Sequence, residues 1–328
     1  MDGRRAQQDA RGLVLEIYQT LGRGKTDSLF SLLSEPLVVF GPRRIDAAVT
    51  RSDALVALGK VVDRKAKTHA QLRSGGLTVV ASPGGHSAWA FDVVSVAGQP
   101  LAVTAVLANT DEIWAVVAAA VAAMPGARQV KAESARDAIV PPGGAAAGKA
   151  DARAAAAVER FRLGLAAPQQ WGDDLASASD AIAIGPASGQ IARGKPAIEK
   201  LWKARMKSNV REATNGDVTS AVTADGELAW LSVPVTRVAD DEDPTPLRIF
   251  AIYARDGAGW KLTALHEAIA IDEPGAGAPF KKILPPPPEP KAAPEPAKPE
   301  ATAAKVEPPA PKPGKKPGRP TTRKRPRK

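Results

Sequence analysis

Hydrophobic positions along the chain change their period several times, and they do so in the same order twice. In residues 153–166, Val158, Phe161, Leu163 and Leu165 stand among alanines and charges at helical spacing. Pro168 can open a second short helix that carries Trp171 and Leu175. A short apolar strand at 181–184 ends on Gly185-Pro186. A helix over 195–206 then puts Ile198, Leu201 and Trp202 on one face. Strand-like runs follow at 212–224, 227–237, 247–255 and 259–271, with Asp225-Gly226 and Asp256-Gly257 marking two of the turns. The first part of the chain predicts the same order: helices at 7–22 and 26–33, a strand at 36–40, a helix at 52–63, and strands near 67–73, 76–82, 87–97, 101–108 and 113–123. Helices, one short strand, a helix and then a run of strands describe an α+β domain whose strongly curved antiparallel sheet wraps around its N-terminal helices.

The repetition extends to single residues. Pro36-Leu-Val-Val-Phe-Gly41-Pro42 is echoed by Asp180-Ala-Ile-Ala-Ile-Gly185-Pro186, and Ser87-Ala88-Trp89 by Leu228-Ala229-Trp230. Pro100-Leu101, Ala105, Ala108 and Trp114 recur 146 positions later as Pro246-Leu247, Ala251, Ala254 and Trp260. We therefore expect two tandem copies of one domain, at 8–124 and 153–273, joined by a flexible linker at 125–152 that contains Pro141-Pro142-Gly143-Gly144. Trp89/Trp230 and Trp114/Trp260 are matched pairs, which favours packing landmarks over a ligand cage.

Charge separates the body from the tail. Residues 273–328 hold 14 Lys/Arg against five Glu and carry +9 of the formal net charge of +10, so residues 1–272 are nearly neutral. The segment 274–328 contains 17 of the 30 prolines. Proline removes a backbone donor and fixes φ, and few large apolar side chains remain to offset ordering entropy. A disordered, locally polyproline-like tail is expected there. The chain has no cysteine and three histidines, His69, His86 and His266, at no metal-ligand spacing. Disulfides, thiolate zinc sites and a Cys nucleophile are excluded, and neither a metal nor a cofactor is expected. The polar start, Met1 to Asp9, does not read as a signal peptide, and the longest apolar run, Ile113 to Met124, is too short to span a bilayer. No membrane partner is expected. A reducing, cytoplasmic compartment fits, with association to the nucleoid if the tail meets DNA.

The stretch Ile182-Ala-Ile-Gly185-Pro186, Arg193-Gly194-Lys195-Pro196-Ala197-Ile198 and Trp202 resembles the opening half of a SnoaL-like domain of the nuclear transport factor 2-like superfamily. Arg248-Ile-Phe-Ala-Ile-Tyr253, Gly259-Trp260-Lys-Leu and His266-Glu267 resemble its closing half. The resemblance covers most of 153–272 and, more faintly, 8–124. It implies cone-shaped sheets, and pairing of two domains through their sheets, as an intrachain pseudo-dimer or a homodimer. It does not imply one activity, because the fold serves isomerases, cyclases, dehydratases and plain binding modules. Steroid isomerases of the superfamily carry an Asp base at the position that Gly41 and Gly185 occupy here. Neither glycine can take a proton, which argues against isomerase chemistry.

Strict alternation on the last strand puts Trp260, Leu262, Ala264, His266 and Ala268 on one face. Trp230, Arg248 and Tyr253 on neighbouring strands could complete a pocket for a small apolar ligand in the second copy. His266 has two readings: with Arg248 and Tyr253 it could bind an anion or move a proton, or it is a satisfied sheet residue. The aligned residue of the first copy is Ala120, so that copy reads as degenerate, a structural partner for the second. No catalytic residue is assigned.

The last residues include Lys315, Lys316, Gly318, Arg319, Pro320, Arg323, Lys324, Arg325, Arg327 and Lys328. Gly318-Arg319-Pro320 between basic clusters resembles an AT-hook core, although Pro317 replaces its usual first arginine. The resemblance implies an arginine in an A·T-rich minor groove, whose negative potential is enhanced. Nine basic residues follow the last acid, Glu307, and counterion release favours their binding to DNA or RNA. The sequence thus points to a non-enzymatic binding or scaffold protein with a nucleic-acid-contacting tail. The alternative is a ligand-binding, isomerase-type or cyclase-type protein that uses the second copy's pocket.

Overall fold

The computed structural model describes residues 3–269 except 42–46, 62–72, 97–98, 127–129, 131–150, 168–170, 177–180, 208, 240–243 and 258. The expected tail at 274–328, most of the linker, most of the strand at 67–73, Pro168 and Asp180 lie outside the described residues. Helix α1 (Gly3–Gly22) buries Ala6, Ala10, Leu13, Val14, Tyr18 and Leu21, an i, i+3, i+4 stripe that turns one face to a sheet. A 3-10 turn (Thr26–Leu32) leads into β1 (Leu33–Phe40), β2 (Ala47–Ala48) and α2 (Arg51–Val61). Strands β3 (Arg73–Ser74), β4 (Thr78–Ala81), β5 (Ser87–Val96), β6 (Gln99–Thr110) and β7 (Ile113–Ala123) complete the first half.

The second half opens with a 3-10 turn (Ala152–Ala154). It continues through α3 (Ala155–Ala166), α4 (Trp171–Asp174), β8 (Ile182–Ile184), β9 (Ile191–Arg193) and α5 (Lys195–Lys207). Strands β10 (Arg211–Thr214), β11 (Thr219–Val222), β12 (Leu228–Val238), β13 (Thr245–Asp256) and β14 (Gly259–Ala268) close it. The single strand expected at 212–224 is two. The Asn215-Gly216-Asp217 turn breaks it, held by a 2.9 Å bond from Asn215 N to Pro234 O, and both pieces pair with β12.

The fold is α+β with two curved sheets. Among the described residues each has seven strands, in the orders β2-β1-β7-β6-β5-β3 and β9-β8-β14-β13-β12-β10, with β4 on β5 and β11 on β12. Both sheets are antiparallel except at one place. The early strand lies parallel to the closing strand, β1 to β7 and β8 to β14, because a helix-containing connection separates them. Both closing strands bulge. Leu107 faces Val116 and Val106 faces Ala118, which leaves Val117 unpaired; Tyr253 faces Leu262 and Ile252 faces Ala264, which leaves Thr263 unpaired. Val117 and Thr263 are 146 positions apart, the interval that separates Trp114 from Trp260.

Each sheet has two buried faces. The helix-covered faces hold separate cores: Leu13, Val14, Tyr18, Val94, Trp114 and Val116 in the first half, and Phe161, Trp171, Trp202, Tyr253, Trp260 and Leu262 in the second. The opposite faces form one shared core, in which Phe40, Trp89, Phe91, Val106 and Ala120 meet Ile184, Trp230, Phe250, Ile252 and Ala264. Trp230 stacks on Phe250 with centroids 5.9 Å apart, and Phe40 lies 6.4 Å from the same ring. Polar links surround this core. Asp225 Oδ2 accepts from the Ser82 and Ser87 hydroxyls at 3.3 and 2.7 Å, Glu227 Oε2 accepts from Gly84 N at 2.9 Å, and Arg193 donates to Thr78 Oγ1 at 2.9 Å.

Packing in the second half is tight at α3. A Cβ on Gly164 would stand 0.8 Å from Trp171 Nε1. Trp171 is held between Phe161 and Trp202, with centroids at 5.9 and 5.0 Å, so it has no room to withdraw. Gly164→Ala is expected to destabilise by about 1–3 kcal/mol although alanine favours helix, read as a lower urea midpoint with an unchanged m-value.

Candidate functional site

The helix-covered face of the first half holds a cavity of about 80 Å3. Val14, Tyr18 and Leu21 of α1 form one wall, and Val94, Val116, Ala119 and Val121 stand on the strands opposite. The surface exposed to the cavity is entirely apolar. Alternation and the bulge at Val117 select these side chains: Val116 and Ala119 face the helix, whereas Ala118 and Ala120 face the other sheet.

At the positions 146 residues later, Val116, Ala119 and Val121 become Leu262, Leu265 and Glu267. Leu262 and Leu265 extend the packed core that includes Phe161, Trp171, Trp202 and Tyr253. Glu267 is fully buried and sits between two guanidiniums. Arg205 donates to Oε2 at 2.6 Å, and Arg237 Nη2 lies 2.8 Å away; Arg237 Nε also donates to Glu212 Oε1 at 2.6 Å. Burial alone would raise the Glu267 pKa, but Arg205 and Arg237 outweigh it and hold the carboxyl below the usual range. At these positions the second half thus carries larger apolar side chains and a buried ion-pair network where the first carries small apolar side chains.

The four residues expected to form a pocket in the second half are all buried, but they do not converge on one. Tyr253 lies on the helix-covered face, its phenol pKa raised by burial and then by Asp174. Trp230 and His266 lie on the other face, against the first half. His266 Nδ1 and Thr104 Oγ1 share a 3.0 Å hydrogen bond. Burial lowers the His266 pKa to about 4, which the neighbouring Glu267 charge only partly opposes. Arg248 is 5% exposed, stands 4.9 Å above the Phe40 ring and donates to Gly41 O at 3.4 Å. The extra residue Thr263 corrects the expected alternation. Trp260 and Leu262 face the helices, and beyond the bulge Ala264 and His266 face the opposite sheet. The apolar cavity beneath α1 is in the half expected to be degenerate, and its signal in the sequence is the smaller size of Val116 and Ala119 against Leu262 and Leu265.

Among the described residues, no group of three or more His, Cys, Asp or Glu side chains is placed to hold a metal ion, and no helix is long and apolar enough to cross a membrane. The tail residues Lys315, Lys316, Gly318, Arg319, Pro320, Arg323, Lys324, Arg325, Arg327 and Lys328 lie outside the described residues.

No curated protein matches the chain. Among solved structures, an NTF2-like superfamily protein from Salmonella enterica serovar Typhimurium is 19% identical, with 37% of this chain and 91% of that one covered and a TM-score of 0.31. An NTF2-like protein of unknown function from Pseudomonas putida KT2440 is 19% identical, with 34% and 80% covered and a TM-score of 0.29. An uncharacterized protein with a cystatin-like fold from Caulobacter vibrioides is 15% identical, with 35% and 84% covered and a TM-score of 0.29. The family profile that matches this chain is that of the SnoaL-like domain, over residues 171–272. Residues 171–272 are a SnoaL-like domain.

Proposed function

We propose that the protein is a non-enzymatic binding protein made of two copies of one SnoaL-like domain, paired within the chain through their sheets. The first copy holds a small apolar ligand, the second is a packed structural partner, and the C-terminal tail contacts nucleic acid. The observation that carries the ligand reading is the wholly apolar cavity beneath α1. The equal strand orders and the matched bulges at Val117 and Thr263 support the duplication. No polar atom is exposed to the cavity, so binding is the reading that fits it.

The test is a titration with n-pentane followed by methyl NMR. Shifts are expected at Val94, Val116 and Val121. Ala119→Leu, which imports the second half's side chain, is expected to weaken binding at least tenfold. Shifts elsewhere, or unchanged affinity in Ala119→Leu, would contradict the reading.

The tail reading rests on the nine basic residues that follow Glu307. Labelled duplexes are expected to bind the full chain and not residues 1–273. Affinity should fall about a thousandfold or more between 50 and 200 mM salt if six or more phosphates are contacted. Equal binding by residues 1–273 would remove the tail from the account.

A further inference from the structure

The cavity beneath α1 reaches the surface beside one pair of strand residues. Val103 and Val121 both line it, and they are direct cross-strand partners on β6 and β7. Both are partly exposed, as is Ile17 of α1, which also lines the cavity. The pairs on either side, Ala105 with Ala119 and Leu101 with Ala123, are buried, so the opening along these strands is one residue pair long. Its rim is apolar where the second half is charged. Val121 stands at the position of Glu267, and Val96, opposite Gln99, at the strand position that Arg237 takes opposite Thr245. A hydrocarbon that crosses Val103 and Val121 strips no water from a charge on either residue.

Resting on the ligand-cavity reading, we infer that the ligand of the first half is a long, unbranched hydrocarbon chain, whose end fills the cavity and whose remainder leaves between Ile17, Val103 and Val121. The cavity is about half the volume of one that admits benzene, so a ring does not enter, whereas about three or four carbons of a chain do. So few carbons bind weakly by themselves, because each buried methylene is worth roughly fourfold in affinity. A chain that continues through the opening gains further burial against the three rim side chains. No polar atom is exposed to the cavity, so a polar head finds no partner inside and stays in water beyond the rim.

The experiment titrates the full protein with n-alkyl glucosides below their micelle concentrations and follows methyl NMR. The sugar is too large for the cavity, so these probes bind only if the alkyl chain enters with its head outside. Octyl glucoside is expected to bind at least tenfold tighter than butyl glucoside, and hexyl glucoside at least tenfold tighter than cyclohexyl glucoside, with shifts at Val103, Val116 and Val121. Val121→Trp, which obstructs the opening, is expected to weaken octyl glucoside at least tenfold, with a thermal melt to confirm that the variant is folded. The ring-against-chain comparison needs no variant. If n-pentane shifts the cavity methyls but the glucosides do not bind, or hexyl and cyclohexyl glucoside bind equally, the chain-end assignment is overturned and the cavity reading survives. Unchanged octyl glucoside affinity in folded Val121→Trp has the same consequence. If neither pentane nor any glucoside binds, both readings are overturned.

Discussion

Glu267→Ala is expected to cost about 3–5 kcal/mol of folding stability, the range found when one partner of a buried ion pair is removed. Glu267 has no exposed side-chain surface, and its partners Arg205 and Arg237 are only 16% and 14% exposed. With the carboxylate gone, Arg237 keeps Glu212, but Arg205 loses its bidentate acceptor in a site that water scarcely reaches. The penalty is the uncompensated charge rather than the intrinsic strength of the pair. The double change Arg205→Met with Glu267→Val, which restores the apolar character of Val121 in the first half, should therefore recover most of the loss. Urea denaturation of the single and double variants checks both statements. A single-variant loss below about 1 kcal/mol would mean that solvent screens the network, as it does for surface pairs.

The second large effect is a loss of stability in mild acid. The His266 pKa falls from 6.5 to about 4 because burial disfavours the imidazolium. On lowering pH, the unfolded chain takes up a proton on His266 near pH 6.5 and the folded chain only near pH 4. The stabilisation is fully present above pH 6.5 and is lost progressively down to pH 4, by about 3 kcal/mol in total. Glu267 acts in a lower window: its folded pKa is depressed below 4.5, so its contribution is present above that value and disappears only as pH falls further. The difference between wild type and His266→Ala across pH 4 to 7 isolates the histidine, because other carboxylates titrate equally in both. The wild type should lose its margin over the variant towards pH 4. A constant margin would show that His266 is hydrated or charged in the folded protein.

Much of the architecture is legible in the sequence because it rests on periodicity and on landmarks. The spacing of Ala6, Ala10, Leu13, Val14 and Tyr18 dictates an amphipathic helix, and the Gly-Pro steps and Trp pairs mark equivalent strand positions. The site was less legible for one main reason, which is parity. A bulge adds a single residue to a strand, and nothing in the run Trp114 to Ala123 or Trp260 to Ala268 distinguishes Val117 or Thr263 from its neighbours. That one residue carries His266 from the helix-covered face to the face that meets the other half. A second reason is that both faces of each sheet are buried. An apolar face made of Trp230, Phe250, Ile252 and Ala264 looks the same in sequence whether it lines a pocket or meets another sheet. The cavity itself depends on differences of side-chain volume, such as Ala119 against Leu265, which hydrophobic patterning treats as equal.

The asymmetry between the halves is the central claim, and xenon tests it most directly. Xenon is apolar, makes no hydrogen bonds and enters dry cavities. In crystals of the full chain pressurised with xenon, an atom is expected beneath α1 between Tyr18, Val116 and Ala119, with none between α3 and β14. Xenon among Phe161, Trp171 and Leu265, or in neither half, would contradict the account.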